Sequence, residues 1–143
     1  MNVNPSTLGT IDRINKGLVM MMYFRKNLLR SNLKNKLVLK ISLSIKEYVR
    51  LDNTKLVDLK TCLALGYGFV FGFSVYESFE TEDVAKTGIV PMPNFNSEKC
   101  LGGHAVYCLG YEEDKKHFIV RNSWGEEWGD GGHFYLPYQY ITN

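Results

Sequence analysis

Hydrophobic and polar positions in the second half of the chain predict a set of β-strands. Residues 69–75 form a continuous apolar run, rich in aromatic and β-branched side chains, which is typical of a buried strand. Residues 104–111 are expected to form a strand whose side chains alternate between two faces, with His104, Val106 and Cys108 on one face and Ala105, Tyr107 and Leu109 on the other. A polar turn at 112–116 separates them from a second strand-like stretch at 117–122. Together these stretches predict an antiparallel hairpin.

A helix is predicted between the strand-like stretches in the middle of the chain. Residues 47–51 alternate as a short strand, and residues 52–54 carry the side chains that favour a helix N-terminus. Apolar residues at helical spacing then predict a helix over 55–65, which Gly66 ends. Cys62 lies on the apolar side of this helix, where a thiol is expected to be an unreactive part of the core.

The composition of the sequence changes near Lys46, because residues 1–45 are rich in Asn, Lys, Leu and Met. These residues are predicted to form a separate, partly helical segment. A stripe at helical spacing, more often core packing than a ligand site, consists of Leu18, Met21, Met22, Arg25, Leu28 and Leu29. The apolar run 17–24 is too short to span a bilayer and lacks a cleavage site, so it predicts neither a membrane anchor nor a signal peptide. Residues 46–143 are predicted to form the main domain.

Charge is distributed unevenly along a chain of otherwise ordinary globular composition. Residues 1–60 have a net charge of +8 and residues 61–143 a net charge of −6, within 143 residues of net charge +2. The basic half suits either an anionic partner or a solvated surface, and base rates of exposed Lys and Arg favour the solvated surface. The three cysteines predict neither a disulfide framework nor a zinc site, because they are odd in number and contain no CxxC pair.

The predicted hairpin brings one histidine towards one asparagine. If the turn centres on Glu113, His104 lies directly opposite Asn122, and opposed Cβ atoms are about 4.5–5.5 Å apart. A hydrogen bond from the imidazole to the Asn oxygen would fix the tautomer and aim the other ring nitrogen outward. An imidazole held in this way can act as a general base or stabilise a thiolate. The same pairing also suits a structural histidine, and the pattern alone leaves both interpretations open.

Two motifs around this pair resemble those of the papain-like (family C1) cysteine peptidases. Residues 101–106, LGGHAV, resemble the family's histidine motif, and residues 120–132, VRNSWGEEWGDGG, resemble its asparagine–tryptophan block. Residues 70–79 and 88–93 resemble a branch of the family found in bacteria and large viruses. The resemblance covers about residues 46–143. It implies the family's C-terminal lobe, an α+β fold with a mainly antiparallel sheet or open barrel and a packed helix.

The resemblance also implies a function and the residues that perform it. The family hydrolyses peptide bonds through an acyl-thioenzyme without a metal or organic cofactor, and its partners are peptide or protein substrates rather than nucleic acids or membranes. His104 would be the catalytic histidine, and Asn122 would orient it. By the same resemblance, Trp124 would shield their hydrogen bond from water, and Trp128 would line the leaving-group side of the cleft. The backbone around the two glycines before His104 would approach the substrate main chain. The residues at these cleft positions are Gly102, Gly103, Ser123, Trp124 and Trp128.

The family's nucleophilic cysteine and its oxyanion-binding glutamine have no match in the sequence. No cysteine precedes Cys62, and the only glutamine is Gln139. Cys108 lies four residues along the predicted strand from His104, about 13 Å away, which leaves Cys100 as the remaining candidate within the chain. We therefore predict a partial peptidase chain whose nucleophile lies upstream or in a separate cysteine-bearing lobe. The alternative is a non-catalytic papain-like module that binds peptides or proteins.

Overall fold

The computed structural model describes residues 19–33 and 36–142, whose strands form one antiparallel sheet. In chain order the elements are β1 (Val19–Leu33), β2 (Lys36–Leu51), α1 (Leu56–Ala64), β3 (Phe69–Tyr76), a 3-10 turn (Glu77–Glu80), α2 (Glu82–Thr87), β4 (Cys100–Glu112), β5 (His117–Arg121), β6 (His133–Pro137) and α3 (Tyr138–Thr142). The strands lie in the spatial order β2-β1-β3-β4-β5-β6. The predicted α+β class is confirmed.

The core lies on one face of the sheet because its strands alternate between buried and more exposed positions. In β3, the strand predicted from the apolar run, every second residue is buried and the intervening ones are only half-buried. The largest fully buried side chains of the sheet are Phe69, Phe71, Phe118, Phe134 and Leu136. Burying one such side chain contributes roughly 1.5–3 kcal/mol, so this face supplies much of the driving force for folding.

Helix α1 confirms the helix predicted over 55–65, but its start differs from the prediction. The residue before the helix is Lys55, and no side chain caps the first turn. Asp52 instead accepts hydrogen bonds from the backbone and hydroxyl of Thr54, at 3.1 and 2.7 Å, so the predicted N-cap residues form a separate turn. Gly66 follows the helix with φ of 84°, as predicted for a helix end. Within the described part of the chain, no helix is long and apolar enough to cross a membrane.

The helix predicted in the N-terminal segment is wrong, because Val19–Leu33 is a strand. It pairs with Lys36–Leu51 along its length and joins the main sheet where Val19–Met21 pairs with β3. The alternation of apolar residues over 37–45 has the period of a strand, and this signal outweighs the short helical stripe. Leu18 lies outside the described residues. Strand β2 runs through position 45, and the division of the chain there stays a prediction.

Candidate active site

His104 and Asn122 are hydrogen-bonded to each other at the end of the β4–β5 hairpin. The imidazole Nε2 lies 2.8 Å from the Oδ1 atom of Asn122. His104 is half-buried in β4, while Asn122 follows β5 directly and is only 6% exposed. The contact predicted from the sequence is therefore confirmed.

The register from which that contact was predicted is wrong by two residues. Tyr107 pairs with Arg121 and Cys108 with Val120, and a bulge follows at Leu109, so His104 is not directly opposite Asn122. The bulge adds one residue to β4, and the turn is centred further along the chain than was assumed. An error of two residues leaves both side chains on the same face, where diagonal neighbours remain within reach of a long side chain.

The hydrogen bonds around Asn122 determine which nitrogen of His104 carries the proton. The backbone N–H of Ser123 donates to Oδ1 of Asn122 at 2.9 Å. A backbone N–H can only donate, so the atom that faces both Ser123 and His104 is the carboxamide oxygen. Because that oxygen can only accept, Nε2 of His104 must be the donor. The neutral imidazole then keeps its lone pair on Nδ1, which the described residues leave without a hydrogen-bond partner.

Two tryptophan rings lie beside this hydrogen bond. Trp124 stacks on the imidazole of His104, with ring centroids 5.0 Å apart and an angle of 22° between the planes. Trp128 meets Trp124 edge to face at 5.0 Å. The Trp124 side chain remains 44% exposed, so it covers the imidazole while its outer edge faces solvent. The indole of Trp124 therefore covers one face of the imidazole that donates to Asn122.

The glycines before His104 lie in strand backbone that is paired on one side. Gly102 and Gly103 pair with Val75 and Ser74 of β3, whereas the pairing of β4 with β5 begins only at Tyr107. Gly102 has φ of 154°, and a Cβ added there would meet no atom within 4 Å. Within the described residues, an open stretch of extended backbone therefore lies next to the imidazole. Such an edge can hydrogen-bond an added peptide strand.

The three cysteines are not placed beside Nδ1 of His104. Cys108 is fully buried in β4, where burial raises the pKa of its thiol, and Cys62 is buried in α1 with its thiol donating to the carbonyl of Tyr67 at 3.3 Å. Cys100 is exposed and begins β4, four residues before His104. At strand spacing, four residues correspond to about 13 Å, whereas proton transfer requires hydrogen-bond distance.

The other chemistry-bearing residues of the sequence lie elsewhere. Gln139 is exposed in α3, which follows β6. No cluster of His, Cys, Asp and Glu that could hold a metal ion occurs in the part of the chain that the structure describes. Sequence reasoning missed Phe79, a fully buried residue of the 3-10 turn whose ring contacts both tryptophans. The run 70–79 contains it, but these contacts cross distant parts of the chain and leave no periodic signal.

Comparisons with known proteins found similar sequences and a similar solved structure. A sequence model described as papain family cysteine protease matches residues 20–141. An uncharacterized peptidase C1-like protein of Acanthamoeba polyphaga mimivirus is 46% identical over 111 residues, which cover 73% of this chain and 35% of that protein. Cathepsin C of Schistosoma mansoni is 36% identical over 94 residues, covering 61% of this chain and 20% of that protein.

A solved structure of a cysteine protease is also similar to this chain. Xylellain, a cysteine protease from Xylella fastidiosa, superposes with a TM-score of 0.58 and 44% sequence identity, over 63% of this chain and 33% of that chain. The present chain therefore spans about a third or less of the length of these three relatives.

Proposed function

The chain belongs to the papain family of cysteine proteases, and we propose that it supplies the histidine–asparagine half of a catalytic centre for peptide-bond hydrolysis. The observation that carries this proposal is the 2.8 Å hydrogen bond between Nε2 of His104 and Oδ1 of Asn122. The bond holds the imidazole in the tautomer that has its lone pair on Nδ1, which is the form that a general base requires.

In the proposed reaction, Nδ1 of His104 takes the proton of a cysteine thiol, and the thiolate attacks the carbonyl carbon of the peptide bond. The imidazolium then gives its proton to the leaving amine, and water releases the acyl group from sulfur. Asn122 keeps the imidazole oriented through both proton transfers. Trp124 shields the orienting hydrogen bond, and Trp128 lies on the leaving-group side.

The open edge of β4 suits the substrate main chain. The backbone at Gly102 and Gly103 has no strand partner on its β5 side among the described residues, and both residues are exposed. A peptide in extended conformation can add to such an edge through main-chain hydrogen bonds. The proposed substrate is therefore an extended segment of a peptide or protein.

We further propose that the nucleophilic cysteine and the oxyanion-binding donor come from polypeptide outside these 143 residues, either from the same gene product or from a separate cysteine-bearing lobe. Two observations support this: Cys100 and Cys108 are each four strand residues from His104, and Cys62 is buried in α1. The chain also spans only about a third of the mimivirus relative, which leaves room for a second lobe.

A second candidate is a non-catalytic module that binds peptides or proteins. The features that would bind a peptide, namely the open edge of β4 and the exposed indole of Trp124, do not require a nucleophile. The two candidates differ in whether a peptide bond is cleaved once a cysteine-bearing lobe is present.

The experiment joins this chain to the part of the mimivirus relative that it does not match. Hydrolysis of a fluorogenic peptide and intact-mass labelling with a papain-directed epoxide are measured for the fusion, for the chain alone, and for two variants of each. His104→Ala removes the proposed base, and His133→Ala is the matched control at a histidine on β6.

The proposal predicts hydrolysis and a single adduct in the fusion, both lost in His104→Ala and kept in His133→Ala, with no adduct on the chain alone. A folded fusion that binds the peptide without cleaving it would favour the binding module. An adduct on the chain alone that depends on His104 would show that a cysteine of this chain, Cys100 by exposure, is the nucleophile.

A further inference from the structure

The buried ring of Phe79 touches both aromatic rings that flank His104. Phe79 lies in the 3-10 turn after β3 and has no exposed surface. Its ring centroid is 5.8 Å from that of Trp124 and 5.3 Å from that of Phe73. Those two rings are in turn 5.0 and 6.0 Å from the imidazole of His104. The imidazole therefore rests on two rings that share one support.

The support matters most for Trp124, because an indole that is 44% exposed is packed against the protein over only part of its surface. Its other aromatic neighbour, Trp128, meets it at 5.0 Å and is itself packed on Phe79 at 5.7 Å. Phe79 is held in turn by Phe134, which it meets edge to face at 5.3 Å. The buried ring of Phe79 thus packs against both aromatic rings that contact the imidazole, those of Trp124 and Phe73.

We propose that Phe79 is a positioning residue, which holds Trp124 and Phe73 against His104 so that the imidazole stays hydrogen-bonded to Asn122 and sheltered from water. The relevance of this role to catalysis rests on the proposed function. The effect of Phe79 on the position of the imidazole is independent of that function, because this position can be measured in the chain whether or not a nucleophile is present.

Shortening Phe79 tests the role. In Phe79→Leu the ring contacts to Trp124, Trp128 and Phe73 are lost, so the indole is free to tilt and water gains access to the Nε2 proton of His104. The equilibrium of interest is between the packed indole and a tilted indole that exposes the imidazole to water. The loss of one aromatic contact should shift this equilibrium towards the tilted form by about fivefold. We therefore expect the Nε2 proton to exchange with water about fivefold faster or more.

Phe118→Leu is the matched control. Phe118 is also fully buried, but its ring contacts are to Phe69 and Tyr138, at 6.1 and 4.7 Å. Exchange of the Nε2 proton is followed by ¹⁵N NMR of histidine-labelled protein. Tryptophan emission is recorded in parallel, because the only two tryptophans of the chain are Trp124 and Trp128.

The expected result is that both variants lose stability, whereas only Phe79→Leu shows faster exchange and a red-shifted emission. Equal exchange rates and equal emission in the two variants would overturn the proposal and leave Phe79 as an ordinary core residue. If Phe79→Leu does not fold, Phe79→Met decides in the same way, because a thioether keeps more of the volume. A fusion that failed to cleave peptides would contradict the proposed function without changing these readouts.

Discussion

Truncation of Asn122 to alanine should change the ratio of the two neutral tautomers of His104. In the folded chain, Oδ1 of Asn122 accepts from Nε2 of His104 at 2.8 Å and from the backbone of Ser123 at 2.9 Å. Alanine offers neither bond, and it leaves the donor of a half-buried imidazole without a partner. The N–H of the imidazole can then regain a hydrogen-bond partner only if the proton moves to Nδ1 or if water reaches Nε2.

The size of the effect follows from these two bonds. An intramolecular hydrogen bond contributes about 0.5–1.5 kcal/mol net, so the ratio of the two neutral tautomers should change by about fivefold. Leaving a fully buried donor unpaired costs about 1–3 kcal/mol. Because the imidazole is only half-buried and water can reach it, we expect the free energy of unfolding to fall by about 1 kcal/mol, the lower end of this range. Ser123 adds little to the loss, because it is exposed and water can replace the lost acceptor.

The tautomers are distinguished by long-range ¹H–¹⁵N correlation spectra of histidine-labelled protein, and stability is measured by denaturant unfolding. Asn53→Ala is the matched control: the Asn53 side chain donates one hydrogen bond to the carbonyl of Ile141 at 3.0 Å, and it lies in the turn before α1. The control should lose stability and keep the His104 spectrum. An unchanged tautomer ratio in Asn122→Ala would refute the assignment of Asn122 as the orienting residue.

Three further predictions test other parts of the structure. Gly68→Ala should lower the free energy of unfolding by about 1–3 kcal/mol, because the new Cβ would lie 2.7 Å from the carbonyl oxygen of Cys108. Cys100 should react with a maleimide in the folded protein, whereas the buried thiols of Cys62 and Cys108 should react only after unfolding, as followed by intact mass. The pKa of Glu98 is lowered first by the Ser78 side chain and then by the backbone N–H groups of Asn94 and Ser78, which lie 2.7 and 2.9 Å from its carboxylate. Glu98 should therefore stabilise the fold at neutral pH and lose this contribution as the pH falls through its folded pKa.

Each of these has a control within the chain. Gly110→Ala should be better tolerated than Gly68→Ala, since its nearest contact is a side-chain atom of Ile119 at 3.4 Å. Urea should equalise the reactivity of the three thiols. Glu98→Gln should be less stable at neutral pH and lose less stability on acidification, whereas Glu127→Gln at an exposed position should follow the parent chain. Parallel acid unfolding curves for Glu98→Gln and the parent would contradict the role of Glu98.

The sequence predicted the site better than it predicted the register that forms it. Successive side chains of a strand alternate between the two faces of the sheet. A register error of an even number of residues therefore leaves His104 and Asn122 on the same face, and the error of two residues did not separate them. A bulge such as that at Leu109 leaves no clear signal in the pattern, because it changes pairing without changing the residue types.

The two failures elsewhere have other physical causes. In β1, apolar residues are spaced in a way that fits a helical stripe as well as a strand, and the pairing with β2 decides between them. The sequence does not single out Phe79, because its contacts are with rings that are distant in the sequence, such as that of Phe134. The family match from residue 20 also begins well before the resemblance seen from about residue 46, so part of the N-terminal segment shares the family's pattern.

The half-site formed by His104 and Asn122 should be complete before any nucleophile arrives. Their hydrogen bond spans only 18 residues of one hairpin, and the covering ring of Trp124 follows Asn122 by two residues. Both partners of each contact belong to this chain, so no other lobe is needed to bring them together. The isolated chain should therefore already hold His104 in the tautomer protonated at Nε2, and the arriving lobe would have only to bring a thiol to Nδ1. If the isolated chain instead showed the tautomer mixture of a free histidine while folded, the orientation of the imidazole would have to come from the missing lobe.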